Sequence, residues 1–365
     1  MHEMTAMTEA RGCRRLLIGM SGGLDSTYAA LRLKECGCSV EGAVLRMSDE
    51  TDLTAARIAA EQVGIPLHII DARETFENRV KRYFAEAYAK GETPNPCAVC
   101  NRYVKVALLC DFAEENGFDH VSTGHYARIL QDPDSGRYYA ARADDRKKDQ
   151  SYMLWGLTQR QLSMLVTPLA SMDKQEIRRA AAEYGLAAAE AKESQDICFL
   201  PDGNYVPFVE KRLGSFPEGD FVDETGKVVG RHKGIIRYTV GQRKGLGIAL
   251  GHPVFVTEID PAENRVYLAP SGAEYADTLT VNGLNFQRAE EQTLVPGLRT
   301  LVKIRYAAQP APAVIRSFRD GVLTAVFDTP QRAVTPGQSA VFYDAEDGGS
   351  VLFGGQIGKQ RVSGS

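Results

Sequence analysis

The chain has 365 residues, of which 44% are apolar and 25% charged, an ordinary balance for a globular protein of two or three domains. A formal charge of −4 excludes a protein that coats nucleic acid non-specifically, but leaves room for binding through a local basic patch. No run approaches the roughly 18 apolar residues of a membrane span. Residues 1–13 have no apolar signal-peptide core and read as a short disordered extension, so a cytoplasmic location is expected. The seven cysteines are Cys13, Cys36, Cys38, Cys97, Cys100, Cys110 and Cys198. An odd count in a cytosolic chain argues against a disulfide framework and leaves core, reactive and metal-binding roles open.

Strand and helix patterns alternate from residue 14. Residues 14–20 (RRLLIGM) are a short apolar run and predict a buried strand. Residues 25–36 have helical spacing and stop at Gly37. A second strand is expected over 39–47, an Ala-rich helix over 52–63, and a third strand over 66–72. A longer amphipathic helix is expected over 75–90, another over 101–116, a strand over 120–123 and a helix over 174–184. This order predicts an α/β domain: a doubly wound parallel sheet with helices on both faces. After about residue 203 helical periodicity fades. Short β-rich runs follow at 254–259, 265–269, 301–306, 313–318, 323–327 and 339–343, separated by turn residues. They predict small, barrel-like β domains, with enough strands after residue 281 for one closed barrel. The expected division is an extension over 1–13, an α/β domain over 14–202, a small central β-rich domain over 203–280 and a C-terminal β-barrel over 281–365. Residues 225–257 and 293–319 each carry several Lys and Arg and no acid. By charge alone they are equally well a solvated face or a polyanion surface.

Three motifs carry chemistry. Ser21-Gly22-Gly23-Leu24-Asp25-Ser26 follows the first strand and opens a helix. Its glycines let the backbone turn tightly, so N–H groups and the helix dipole converge on one point, a nest for an anion. Ser21 and Ser26 add hydroxyls, and Asp25 either holds magnesium or caps the helix. The Gly-Lys-[Ser/Thr] ending of a Walker loop is absent. The second motif is Thr93-Pro94-Asn95-Pro96-Cys97-Ala98-Val99-Cys100-Asn101. Its prolines fix an extended approach to a C-x-x-C at a helix start, where a thiol's pKa falls. With no second C-x-x-C, a four-cysteine zinc site is disfavoured. The third is Glu193-Ser194-Gln195-Asp196-Ile197-Cys198-Phe199-Leu200. Taken alone, Cys198 reads best as a core thiol, and it gains weight only if the fold brings it near Cys100.

The first motif resembles the loop of the ATP pyrophosphatase (PP-loop) superfamily, which implies cleavage of ATP to AMP and pyrophosphate. With GMSGGLDS, TPNPCAVCN, STGHYAR, KDQSYML, SQDICFL, GQRKGLGI, VKIRY and PGQSAVF in order between residues 19 and 342, the chain resembles the bacterial tRNA-specific 2-thiouridylases. That resemblance implies an adenylating α/β domain, a small central domain and a tRNA-binding barrel. It implies replacement of O2 of the wobble uridine, position 34 of tRNA, by sulfur, after AMP transfer makes the oxygen a leaving group. Cys198 would carry a persulfide and Cys100 would be the nucleophile, with a Cys100–Cys198 disulfide to be reduced each cycle. Gly19, Met20, Ser21, Gly22, Gly23, Leu24, Asp25, Ser26, Leu45 and Gly124 would meet ATP and its Mg2+. Asn95, Pro96 and Cys97 would line the target base. His125, Lys148, Asp149, Gln150, Arg305, Tyr306 and Gln338 would contact tRNA. A cysteine desulfurase or sulfur-relay protein would supply sulfur.

Two positions depart from the family pattern. Relatives often carry an aspartate, the general-base candidate, where Cys97 stands. Their nucleotide-side methionine becomes Leu45, with Met47 two residues on. The first departure opens a second mechanism, in which Cys97, Cys100 and Cys198 hold a [4Fe–4S] cluster with a fourth iron open to sulfide. Two readings of other classes compete. A small-molecule adenylating ligase of the amidotransferase type explains the loop but not the cysteines or the basic β-half. A non-catalytic RNA-binding protein predicts no ATP consumption.

Overall fold

The computed structural model describes residues 14–190, 197–200 and 202–359. The extension expected over 1–13 and residues 193–196 of the third motif lie outside the described residues. The chain packs into two compact units.

The first unit takes the described residues of Met1–Val80, Cys97–Gln195 and Gly349–Val351. Its sheet is built from β1 (Arg15–Gly19), β2 (Ser39–Arg46), β3 (Leu67–Asp71), β4 (His120–Ser122) and, past an antiparallel pair β5 (Ala127–Gln131) and β6 (Tyr138–Arg142), the short β7 (Leu165–Val166). The order is β3-β2-β1-β4-β7, with each neighbouring pair parallel. Leu16, Leu17 and Ile18 are all fully buried. Three consecutive buried residues mean that both faces of β1 are covered, as a parallel sheet requires. The sheet grows from β1 in both directions, so the carboxyl ends of β1 and β4 border the topological switch point, where ligands bind in such sheets. The Leu24–Glu35 helix buries Tyr28, Ala29 and Leu33 against this core.

Several expectations need correction in detail. The strand expected over 39–47 ends at Arg46, so Met47 falls beyond it. The helix expected over 75–90 is broken: Arg73–Phe76 is α, Glu77–Lys81 a π turn and Arg82–Ala89 α again. The helix expected over 101–116 likewise begins with a π turn, Asn101–Lys105. A π turn inserts one residue without changing apolar content, so periodicity does not reveal it. The β5–β6 pair and β7 were not anticipated; β7 has two residues, too few for a pattern.

The second unit takes Lys81–Pro96, Asp196–Gly348 and Leu352–Ser365, as far as these are described. Its smaller part is a four-stranded sheet of β8 (Gly219–Val222), β9 (Val228–His232), β10 (Val254–Asp260) and β11 (Arg265–Pro270), in the order β10-β11-β8-β9. This is the small β-rich domain expected between the α/β domain and the C-terminal barrel. Helicity does not end near residue 203, because Val206–Leu213 is a helix with proline in its first turn, the position that tolerates it. That helix and Arg82–Ala89 share one apolar cluster with the sheet. Tyr88 stacks on Tyr205 at 4.1 Å and Phe84 meets Phe199 edge-on at 5.3 Å.

The larger part is a closed six-stranded barrel of β12 (Tyr275–Phe286), β13 (Arg299–Lys303), β14 (Ala311–Arg319), β15 (Val322–Arg332), β16 (Ser339–Asp344) and β17 (Val351–Ile357), in the order β12-β15-β14-β13-β16-β17. Register shifts in the β12–β15, β12–β17 and β14–β15 pairs supply the local bends that closure needs. Phe342 and Phe353, both fully buried, stack at 4.4 Å in its core.

Candidate active site

The loop after β1 is a tight glycine turn between a buried strand and a helix. Gly22 has φ +78°, which favours glycine, and a Cβ there would lie 2.4 Å from the carbonyl carbon of Ala55; side chains are excluded on both counts. Gly23 is extended and precedes the Leu24–Glu35 helix. The hydroxyls are turned into the loop. Ser26 Oγ accepts from the Ser21 backbone N–H at 3.3 Å and donates to the Gly23 carbonyl at 3.1 Å. Ser21 Oγ accepts from the Gly23 N–H at 3.4 Å. Gly19 ends β1, and Met20 and Leu24 are buried beneath the turn. The walls are equally close: a Cβ at Gly124 would lie 2.9 Å from Asp25 Cβ and from the Ser26 nitrogen. The loop after β4 therefore lies against the glycine turn. Leu45, half-buried near the end of β2, pairs with Ile70 of β3.

Asp25 does not cap the helix. Gly23 holds the cap position and makes no side-chain cap bond. Instead the Asp25 carboxylate accepts from the Tyr126 hydroxyl at 2.7 Å and forms an ion pair with Lys174. Lys174 Nζ stands 5.6 Å from the centre of the Tyr126 ring. Sequence reasoning missed both partners. Lys174 is 149 residues from Asp25, beyond any local spacing. A signal was nevertheless present: a lysine at the first position of a helix opposes the dipole.

Of the tRNA-side expectations of this unit, His125 and Asp149 are buried, and Lys148 and Gln150 are half-buried. His125 is buried and pairs through Nδ1 with the Thr123 hydroxyl at 2.8 Å. Burial, with the Lys105 charge nearby, pushes its pKa down to about 3, so it is a neutral hydrogen-bonding group. Asp149 is 2% exposed. It accepts from the N–H groups of Ala143 and Ser151 at 3.1 and 3.2 Å and from the Ser151 hydroxyl at 3.0 Å. Its carboxylate orders the turn from within. Gln150 Oε1 accepts from the Tyr126 N–H at 3.0 Å, tying this turn to the loop beside the glycine turn. Lys148 lines an open cleft of about 720 Å3, which Lys174 also borders.

The cysteine motif is shared between the two units. Its first half runs along the barrel. Thr93 N–H donates to Pro336 O at 2.8 Å. Gln338 Nε2 donates to the carbonyls of Thr93 and Pro94 at 2.9 and 3.1 Å. Asn95 Nδ2 donates to Ser339 Oγ at 3.1 Å, with Asn95 buried. Gln338, expected at tRNA, is thus a clamp on the backbone that leads to the cysteines. The second half opens a helical turn, Pro96–Cys100, with Pro96 buried, Cys97 exposed and Cys100 buried. Asn101 Nδ2 then donates to Met153 O at 3.1 Å.

Cys198 is exposed at a turn closed by Leu200 N–H to Ile197 O at 2.8 Å; the apolar neighbours Phe199 and Leu200 are what pack. The core-thiol reading of Cys198 is therefore wrong in this structure. Cys110 is the core thiol: it is fully buried and its pKa is pushed up to about 12 by that burial. Among the described residues no group of three His, Cys, Asp or Glu side chains is placed to hold a metal ion. In the barrel, Arg305 Nη2 donates to the carbonyls of Arg332 and, at 3.3 Å, Ala333. Tyr306 is exposed, with Lys303 Nζ 5.4 Å from its ring centre.

A parallel sheet with a hydroxyl-lined anion loop at its switch point, joined to β domains, defines the class: a nucleotide-handling α/β enzyme with accessory β modules. Family comparison agrees. The tRNA methyl transferase HUP domain matches residues 14–202, the tRNA methyl transferase PRC-barrel domain 207–270 and the aminomethyltransferase beta-barrel domain 276–357. The chain is 42% identical to the tRNA-specific 2-thiouridylase MnmA of Acetivibrio thermocellus, over 94% of this chain and 99% of the relative. It is 40% identical to that of Carboxydothermus hydrogenoformans, over 96% and 99%, and 43% identical to that of Geotalea uraniireducens, over 94% and 95%. The chain belongs to the tRNA-specific 2-thiouridylase family. No helix among the described residues is long and apolar enough to cross a membrane.

Proposed function

We propose that the protein is an ATP-dependent tRNA-uridine 2-sulfurtransferase acting on the wobble uridine in the cytoplasm. The family-domain descriptions speak of methyl transfer and the relatives' names of thiolation. The chemistry of the chain favours thiolation, because methyl transfer requires neither a pyrophosphate-type loop nor cysteines. The observation that carries the reading is the tight glycine turn after β1, which opens the Leu24–Glu35 helix with Asp25 in its first turn at the switch point of the parallel sheet.

ATP would bind with its phosphates on the N–H groups of 22–26 and its adenine toward Leu45 and Gly124. The Asp25 carboxylate, one-third exposed, suits a magnesium ion, which would screen phosphate charge. The uridine O2 attacks the α-phosphorus, and pyrophosphate leaves with the electron pair of the broken bond. O2 becomes a phosphate ester, a far better leaving group. The terminal sulfur of a Cys198 persulfide then attacks C2 and AMP departs. The Cys100 thiolate attacks Cys198 Sγ, breaking the sulfur–sulfur bond. This leaves C2=S and a Cys100–Cys198 disulfide, which two electrons from an external thiol reset. Asn95, Pro96 and Cys97 would line the base. The barrel, through Arg305, Tyr306 and the basic runs, would hold tRNA. The domain division at 202, with a second boundary just before the first barrel strand at Tyr275 and not at 280 as expected, would separate adenylation from binding. A cysteine desulfurase or sulfur-relay protein would load Cys198.

An iron–sulfur variant using Cys97, Cys100 and Cys198 predicts bound iron and sulfide after anaerobic purification. A colourless, iron-free, fully active enzyme eliminates it. The function itself is tested by mass spectrometry of tRNA nucleosides from cells with and without the gene. Loss of 2-thiouridine derivatives is expected; unchanged 2-thiouridine contradicts the assignment.

A further inference from the structure

The arm that leads to the cysteines has a single backbone donor to place. In Thr93-Pro94-Asn95-Pro96-Cys97 neither proline has an N–H, so Asn95 alone offers one between Thr93 and Cys97. Asn95 is buried, and a buried N–H needs a partner. The barrel clamp engages other groups: Gln338 donates to the carbonyls of Thr93 and Pro94, and Ser339 accepts from the Asn95 side chain. The Asn95 N–H goes to the Tyr83 hydroxyl, which also accepts from Gln356 Nε2 at 3.4 Å. Tyr83 belongs to the Arg82–Ala89 helix. The next residue of that helix, Phe84, is buried and meets Phe199 edge-on at 5.3 Å. Phe199 directly follows Cys198. Consecutive residues of one helix thus grip two segments far apart in the chain, and all of these residues lie in the second unit.

We propose that Tyr83 and Phe84 are positioning residues for sulfur transfer: through them the Arg82–Ala89 helix sets the place of the base-lining segment that Asn95 opens relative to the sulfur carrier Cys198. Neither side chain touches the reacting atoms. Each holds a backbone that carries one of the two reactants, and a misplacement of about 1 Å between reactants costs on the order of 100-fold in rate. A rigid helix sets that separation better than two loops held independently. This inference rests on the reading of the chain as a 2-sulfurtransferase that works through Cys198.

The test is Tyr83→Phe, which keeps the ring and removes the hydroxyl. Thiolation kcat should fall at least ~10-fold, while KM for tRNA and binding of ATP stay within ~2-fold. The deciding readout is pyrophosphate released per 2-thiouridine formed, which does not depend on how much of the enzyme is folded. It should be about one in the wild type and ~5 or more in the variant, because an activated uridine whose sulfur is misplaced falls to water, which expels AMP and returns uridine. A hydroxyl that serves stability alone lowers the amount of folded enzyme and leaves the ratio at the wild-type value. That result overturns the proposal, as does an unchanged kcat. If Tyr83→Phe does not fold, Phe199→Leu on the Cys198 side decides by the same ratio: a rise supports the proposal and the wild-type value overturns it. A wild-type chain that releases pyrophosphate on tRNA but forms no 2-thiouridine overturns the sulfurtransferase reading itself.

Discussion

The nucleotide loop and the cysteine motifs are built on opposite plans. The loop is closed on itself inside one compact unit: Gly22 is pressed on Ala55, Gly124 on Asp25, and Tyr126 and Lys174 hold the carboxylate. The cysteines are divided. Cys97 and Cys100 belong to the first unit, Cys198 to the second, and the arm that leads to Cys97 is clamped to the barrel by Gln338 and Asn95. A preformed loop suits a step in which charge must be stabilised without reorganisation.

The comparison breaks first at the cysteines. Serine at Cys100 and Cys198 together should reduce thiolated product by at least ~1,000-fold, and each single change should cost nearly as much, since groups acting as a unit are not additive. Pyrophosphate release on tRNA should continue, and its loss would merge the two steps. Asp25→Asn comes next: pyrophosphate release should fall about 100- to 1,000-fold while tRNA binding holds.

His125 sharpens the rigid half. Its pKa is about 3 folded against roughly 6.5 unfolded. Its contribution is full above the unfolded value and is lost as pH falls from there toward the folded one. At pH 5 the loss should reach about 2 kcal/mol. Urea unfolding at pH 7 and pH 5 should show it in the wild type and not in His125→Gln. Arg305→Glu should weaken tRNA binding roughly tenfold and lower its salt dependence, with ATP binding unchanged. Equal loss of both ligands would contradict the division of labour. The smallest effect belongs to Gln338→Ala, which removes two hydrogen bonds to the arm and should cost about 1–2 kcal/mol in thermal unfolding and slow thiolation more than adenylation.

Much of this was legible in the sequence because it is local. RRLLIGM followed by SGGLDS states a buried strand, a tight turn and a helix, and the structure has them. The closed barrel was legible from its evenly spaced short strands. What escaped depends on single-residue geometry or on distance along the chain. The π turns at 77–81 and 101–105 leave no periodic trace. The Asp25–Tyr126–Lys174 contact joins residues far apart. Asp149 and Gln338 are expected at tRNA from the family resemblance alone. Only coordinates show the first buried under an ordered turn and the second clamping a backbone. Cys198 went the other way: its apolar followers suggested a core thiol, yet they pack while the thiol points outward.

The central claim is that uridine O2 is activated by AMP before sulfur replaces it. The direct measurement follows oxygen-18 placed at O2 of the target uridine through one turnover with ATP and a persulfide donor. The account predicts the label in the phosphate of AMP, one per 2-thiouridine formed. Thiolated tRNA with unlabelled AMP would contradict it.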